Sequence, residues 1–176
     1  DLAILFTDIR GSTKKIASSG PETFISVLNR TLGAQADAVL EQEGSIDKFV
    51  GDSLIALFSG ENALERAINC GIKIQKDYLE DPEVSVFFDG LGVGINYGSM
   101  VLGNMGAKER MDYTVIGPEV NLCARLCSVA ESGQVLVPKQ RIEEHKLESK
   151  FTFNSVEKKN LKGFANEIQI MEAVYE

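Results

Sequence analysis

The chain has 176 residues, of which 44% are hydrophobic and 25% charged, and its formal charge is -8. That composition suits a single globular domain with a substantial core and excludes a disordered chain; the acidity argues against general binding to nucleic acid or to anionic membranes. No apolar run approaches the length needed to cross a bilayer.

The first predicted element is a buried strand over Leu2 to Phe6, followed by Thr7, Asp8, Ile9, Arg10, Gly11, Ser12 and Thr13. An apolar run that ends in an acid and passes into Gly and hydroxyl residues reads as a strand turning into a helix. Asp8 then sits at the strand tip. The amides of Gly11, Ser12 and Thr13 face outward at a helix N-terminus, which favours an anion, so acid and amides together suit a metal-bound phosphate. Taken alone, Asp8 reads equally well as a helix cap.

Gly20-Pro21-Glu22 starts a long helix whose apolar period runs from Phe24 to Val39 and stops near Gly44. Ile46 to Val50 and Ser53 to Phe58 read as a hairpin turning at Gly51-Asp52, which puts a second acid at a strand tip. A further amphipathic helix spans Leu64 to Leu79 and ends at Asp81-Pro82. The alternation Val84, Val86, Phe88 and then Leu91, Val93, Ile95, Tyr97 predicts strand, with Gly92 and Gly94 giving one face room for another backbone or a helix. Met100 to Leu102 is expected to return as its hairpin partner across Gly98-Ser99, with Gly103 to Gly106 beyond it.

Thr114 to Ile116 is a short strand, and Gly117-Pro118-Glu119 opens a helix to about Ala130. Asn121 and Arg125, four apart, share a face of that helix and could reach a phosphate or ribose. Gln134 to Val137 reads as a strand and Pro138 to Lys146 as a polar helix. The single histidine, His145, is expected on its solvated face, which excludes a Ser-His-Asp triad and leaves zinc without ligands. Two antiparallel strands, Phe151 to Val156 and Ile168 to Val174, close the chain around Leu161-Lys162-Gly163. Cys70, Cys123 and Cys127 make no CxxC, and packing is their expected role.

Strands and helices in this order predict an α/β (α+β) domain with a mixed or antiparallel sheet and helices packed on it. Asp8 and Asp52 at neighbouring tips, without His or Cys, suit two hard divalent cations, Mg²⁺ or Mn²⁺, and phosphoryl chemistry.

Five pieces of the chain resemble the catalytic domain of class III nucleotidyl cyclases: Phe6-Thr7-Asp8-Ile9-Arg10-Gly11, Asp47 to Asp52, Tyr113 to Gly117, Val120 to Leu126 and Leu161-Lys162-Gly163. The resemblance covers almost all of residues 1–176 and implies one ferredoxin-like cyclase domain that dimerises head to tail, with two shared active sites. It implies that Asp8, Asp52 and the Ile9 carbonyl hold two metal ions, and that the partner protomer supplies the remaining groups. Lys48 and Thr114 would meet the base, Asn121 the ribose, Arg125 the transition-state phosphate and Lys162 the triphosphate.

Lys48 can only donate a hydrogen bond, which suits adenine N1, and the Thr114 hydroxyl can accept from the 6-amino group. ATP is therefore the expected substrate, cyclic AMP and pyrophosphate the products, and the chain is placed in the subgroup that pairs Lys with Thr. A guanylate or relaxed-specificity cyclase and a catalytically silent nucleotide-binding homologue are the alternatives. Arg10 and Ser12 replace the Val and Phe usual in the first motif, which touches either the phosphate pocket or the surface beside it. Arg110 is preferred to Lys108 as a further phosphate ligand. Since residue 1 already lies at the edge of a strand, the domain is expected to be cytoplasmic and cut from a longer protein, with a regulator or membrane anchor elsewhere in that protein.

Overall fold

The N-terminal apolar run forms β1 (Leu2–Arg10), which pairs antiparallel with β3 (Ser53–Phe58) on one side and β4 (Gly90–Gly98) on the other. With both edges filled and both faces covered, its side chains are buried in either direction, as the unbroken run Leu2 to Phe6 requires. The computed structural model describes residues 1–157, 161 and 167–176. The other elements are α1 (Ser12–Ser19), α2 (Pro21–Glu41), β2 (Ser45–Val50), α3 (Ala63–Glu80), α4 (Pro82–Ser85), β5 (Val101–Ala107), β6 (Arg110–Ile116), α5 (Pro118–Val129), β7 (Val135–Pro138), α6 (Lys139–Glu144), a 3-10 turn (Leu147–Ser149), β8 (Thr152–Val156) and β9 (Ile170–Val174).

The main sheet has seven strands in the order β2-β3-β1-β4-β7-β9-β8, and β5 with β6 makes a separate two-stranded arm. Among the described residues only β4 and β7 run parallel, and a parallel pair needs a long crossover, here supplied by the arm and α5. The domain is thus mixed α+β with a mostly antiparallel sheet. Period-two alternation divides its side chains between two layers. Ala3, Leu5, Leu54, Ala56 and Phe58 join the large core with Leu64, Ala67 and Ile68 of α3 and Ala38 and Val39 of α2. Ile4, Ile55 and Leu57 face the other way, onto Val115 of β6 and Cys123 of α5. Each large aliphatic side chain buried this way contributes about 1.5–3 kcal/mol.

The glycines of β4 explain how α5 fits. A Cβ on Gly94 would lie 2.4 Å from the Cys127 nitrogen and 2.7 Å from the Cys123 oxygen, so α5 rests on the strand backbone itself. Cys123 and Cys127 are buried there as expected, their Sγ atoms 3.2 Å from the Gly94 oxygen and 3.6 Å from the Gly92 oxygen. Burial pushes the Cys127 thiol up to about 12 and the Cys123 thiol well above its usual value, which suits packing and not reactivity.

Three sequence expectations are corrected. Val84, Val86 and Phe88 do not begin a strand, because the Asp81 side chain caps α4 by accepting from the Glu83 amide at 3.1 Å and Pro82 starts the helix. Val86 is left 81% exposed in the turn before β4. The segment after Gly98-Ser99 does not fold back on β4, whose neighbours in the sheet are β1 and β7. It continues through Gly103 to Gly106 and pairs with β6, from Val101 opposite Ile116 to Ala107 opposite Arg110. His145 is not simply solvated either, since its ring packs edge-on against Tyr97 with centroids 4.3 Å apart. Among the described residues no helix is long and apolar enough to cross a membrane.

Candidate active site

The candidate residues gather on the sheet face that carries α5, and the alternation of β1 puts them there. Ile4 and Phe6 pack on that face, and two residues further along Asp8 and then Arg10 follow in the same direction. Ser53 starts β3 with the same facing as Ile55, and its hydroxyl donates to Asp8 Oδ1 at 3.2 Å. Asp52 lies in the turn between β2 and β3, close enough to Asp8 for its charge to act on that carboxyl. Burial and then the Asp52 charge hold the Asp8 carboxyl above the usual carboxylate range, against the opposing pull of Arg10 and Ser53.

Thr7, the odd-numbered neighbour, points the opposite way and anchors the strand end. Its hydroxyl donates to Gln35 Oε1 of α2 at 2.7 Å and accepts the Leu54 amide at 3.2 Å, and Gln35 also donates to Thr31 at 3.3 Å. These buried bonds pin the ends of β1 and β3, the two strands that present the acids, to α2.

Lys48 reaches this face through an irregularity in β2. Ile46 pairs with Ala56 and joins the large core, whereas Lys48 pairs with Ile55, so the strand gains a bulged residue at Asp47. A bulge adds one residue and reverses the facing of those beyond it, which turns Lys48 toward β6. There its Nζ donates to Thr114 Oγ1 at 2.7 Å. The Asp47 side chain is only 6% exposed; its Oδ2 lies 3.7 Å from Lys48 Nζ and accepts no hydrogen bond.

The chain therefore brings Asp8 to Asp52 and Lys48 to Thr114 as two separate pairs, and it leaves Asn121 and Arg125 exposed on α5. On α5, Cys123 and Cys127 face the sheet, while Asn121 and Arg125 are exposed, about half a turn around the helix axis from the cysteines. Gly11 is left-handed at φ 78° and precedes α1, so Ser12 and Thr13 occupy the first turn of that helix next to the acids. Arg110 opens β6 opposite Ala107, with Lys108 in the turn between them; both are exposed, four register steps or more from Thr114. Lys162 lies outside the described residues. Sequence reasoning missed Ser53, Asp47 and the Thr7 to Gln35 bond, because each matters through a partner distant in the chain.

A cation site at the acids is chemically consistent. The donors are hard oxygens, and their mutual repulsion is what a cation relieves. The Ile9 side chain is buried in the core, which leaves its backbone carbonyl as the one oxygen that residue has. Among the described residues no cluster of three or more His, Cys, Asp or Glu stands around them. Two carboxylates, a backbone carbonyl, water and substrate phosphate make a coordination set typical of Mg²⁺. A cavity of about 450 Å³ lies elsewhere, lined by Glu119, Lys139, Arg141 and Gln169 among others, and takes in none of the candidate residues.

The family model for the adenylate and guanylate cyclase catalytic domain matches residues 1–173. An uncharacterized protein of Mycobacterium tuberculosis is 37% identical over 135 residues, which are 74% of this chain and 24% of that protein. A second uncharacterized protein of that organism is 34% identical over 149 residues, 81% of this chain and 27% of its own length. The chain thus spans about a quarter of the length of these relatives. Among solved structures, the adenylyl cyclase CyaB from P. aeruginosa is 30% identical, with TM-score 0.87 over 99% of this chain and 94% of that one. The guanylyl cyclase Cya2 is also 30% identical, with TM-score 0.84 over 98% of this chain and 90% of its own. The chain thus belongs to the adenylate and guanylate cyclase catalytic domain family.

Proposed function

We propose that this domain is an adenylate cyclase that converts ATP to 3′,5′-cyclic AMP and pyrophosphate at sites shared by two copies of the chain. The observation that carries the choice of base is the Lys48 to Thr114 hydrogen bond. Adenine offers an acceptor at N1 and donors at its 6-amino group. Lys48 has donors to spare beyond the one given to Thr114, and the Thr114 oxygen keeps a lone pair for the amino group.

In the reaction the ribose 3′-oxygen bonds to the α-phosphorus, the bond from that phosphorus to the β-bridging oxygen breaks, and pyrophosphate leaves while the hydroxyl proton is lost. Divalent cations, Mg²⁺ or Mn²⁺, held by Asp8, Asp52 and the Ile9 carbonyl, would supply the Lewis acidity that activates the hydroxyl and neutralises the leaving group. Amides of Gly11, Ser12 and Thr13 at the α1 N-terminus, and Lys162 and Arg110, bind triphosphate. Asn121 orients the ribose, and the Arg125 guanidinium stabilises charge on the transferring phosphate.

The direction of α5 supports a shared site. Asn121 and Arg125 face away from the sheet that carries Asp8, so in one chain they cannot meet a substrate held at the acids. A second copy supplies them, and with them Lys48, Thr114 and Lys162. The exposed apolar side chains Val101, Met105, Met111 and Tyr113 on the arm, and Phe49 and Val50 beside Asp52, offer the surface for that copy. The cytoplasm is the compartment this reading gives the domain.

The test is a cyclase assay with ATP and GTP, in Mg²⁺ and in Mn²⁺, at several protein concentrations. Cyclic AMP formation with specific activity rising with protein concentration is expected. Preferential GTP turnover refutes the base assignment, and nucleotide binding without turnover identifies a silent homologue. Arg125→Ala should lose roughly 10²-fold or more in kcat. Mixed with an inactive Asp8→Asn chain it should regain activity, and no recovery between folded, exchanging chains refutes shared sites.

A further inference from the structure

Arg10 connects the two halves of this site. Its Nη1 is paired with Asp8 Oδ2, and its Nη2 donates to the backbone oxygens of Cys127 at 2.6 Å and Ala130 at 2.7 Å, where α5 ends. The Arg10 side chain is only 25% exposed. Helix ends present unpaired carbonyls and partial negative charge, which a cation satisfies. The sequence makes room for this crossing: a Cβ on Gly92, the residue opposite Asp8 in β4, would lie 2.4 Å from Arg10 Nη2. One planar fork therefore ties a carboxylate of the acidic pair to the end of the helix that carries Asn121 and Arg125.

We propose that Arg10 is the resident counter-cation of the acidic pair, a positioning residue that competes with divalent metal for Asp8 and so sets the metal affinity of the site. The inference rests on the assignment of Asp8 and Asp52 as metal ligands. Ser53 holds Oδ1 and Arg10 holds Oδ2, so both oxygens of Asp8 are engaged before any cation arrives. Metal binding through Oδ2 and the Arg10 pair are alternatives. The two bonds to Cys127 and Ala130 do not depend on Asp8, and they keep the guanidinium beside the site when the pair opens.

The test is Mn²⁺ binding without nucleotide, followed by the electron paramagnetic resonance of the free ion. Arg10→Met, which keeps length and removes charge, should bind Mn²⁺ about five- to tenfold tighter, the scale of a partly exposed pair carrying about 1 kcal/mol. Arg10→Lys, which keeps the charge, should stay near the wild-type affinity, and Asp8→Asn should lose binding. If Asp8→Asn abolishes binding while Arg10→Met binds no tighter than wild type, the role of Arg10 is overturned and the metal assignment stands. If Asp8→Asn binds as wild type does, the metal assignment fails and this proposal with it. Because Arg10→Met also loses the two α5 bonds, a second readout uses the unaltered chain. Mg²⁺ should shift the ¹⁵N resonances of the Arg10 guanidinium as its pair with Asp8 opens, and unchanged resonances at saturating Mg²⁺ overturn the proposal.

Discussion

Gly94→Ala should destabilise the domain and disable it, although one methyl is all that is added. The new Cβ would stand 2.4 Å from the Cys127 nitrogen, 2.7 Å from the Cys123 oxygen and 3.0 Å from the Cys127 Cα. All three are backbone atoms of α5, so no side chain can swing aside. Ordinary contact begins near 3.4 Å, and restoring it requires α5 to withdraw by about 1 Å. Overpacking of this kind costs about 1–3 kcal/mol, or roughly 2–12 °C in Tm for a domain of this size. Displacing Arg125 by about 1 Å can cost on the order of 10²-fold in rate. Gly33→Ala is the matched control. Gly33 lies exposed within α2 with nothing within 4 Å of its would-be Cβ, so alanine should stabilise by about 0.5–1 kcal/mol through helix propensity. Thermal melts by circular dichroism and cyclase assays at saturating ATP read both variants. A Gly94→Ala protein as stable and as active as the parent would refute the packing of α5 on β4.

Thr7→Val keeps the shape of a buried residue but strands Gln35 Oε1 and the Leu54 amide, and chemical denaturation should show a loss of about 2–4 kcal/mol. Asp52→Asn should stabilise the metal-free domain at neutral pH by on the order of 1 kcal/mol, since Asp8 and Asp52 are partly exposed and screened. The sign follows from Asp8. Its carboxyl is raised, so the folded state holds that proton more tightly than the unfolded chain does, and the ionised pair weakens folding as pH rises through the folded value. The stabilisation by Asp52→Asn should therefore vanish at a pH below the carboxylate range, and melting curves across pH decide it; an equal effect at acid pH contradicts the repulsion.

Much of the site was legible in the sequence because its parts lie in short local patterns. Asp8 ends an apolar run and Asp52 sits in a Gly-Asp turn, and each signal is complete within a few residues. The spacing of Asn121 and Arg125 on one helix face is equally local. The run from Val84 to Phe88 misled because alternation of apolar residues ignores the capping of a short helix by Asp81 and Pro82. The pairing of β5 misled for a different reason. A hairpin with β4 was expected from chain proximity, but the segment pairs with β6, and β4 takes β7 as its neighbour from farther along the chain, a choice that belongs to the whole sheet.

What the sequence determined by itself was the set of chemical groups: hard oxygen donors without His or Cys, a donor paired with a hydroxyl, a helix bearing Asn and Arg, and glycines in the strand beneath it. Only the tertiary structure decided their directions. The bulge at Asp47 turns Lys48 onto the α5 face, α5 turns Asn121 and Arg125 away from it, and Gly92 lets Arg10 cross from Asp8 to the end of that helix. The physical reason is that residue type sets which bonds a group can make, whereas facing depends on strand register and helix packing, which are settled by contacts between segments far apart in the chain.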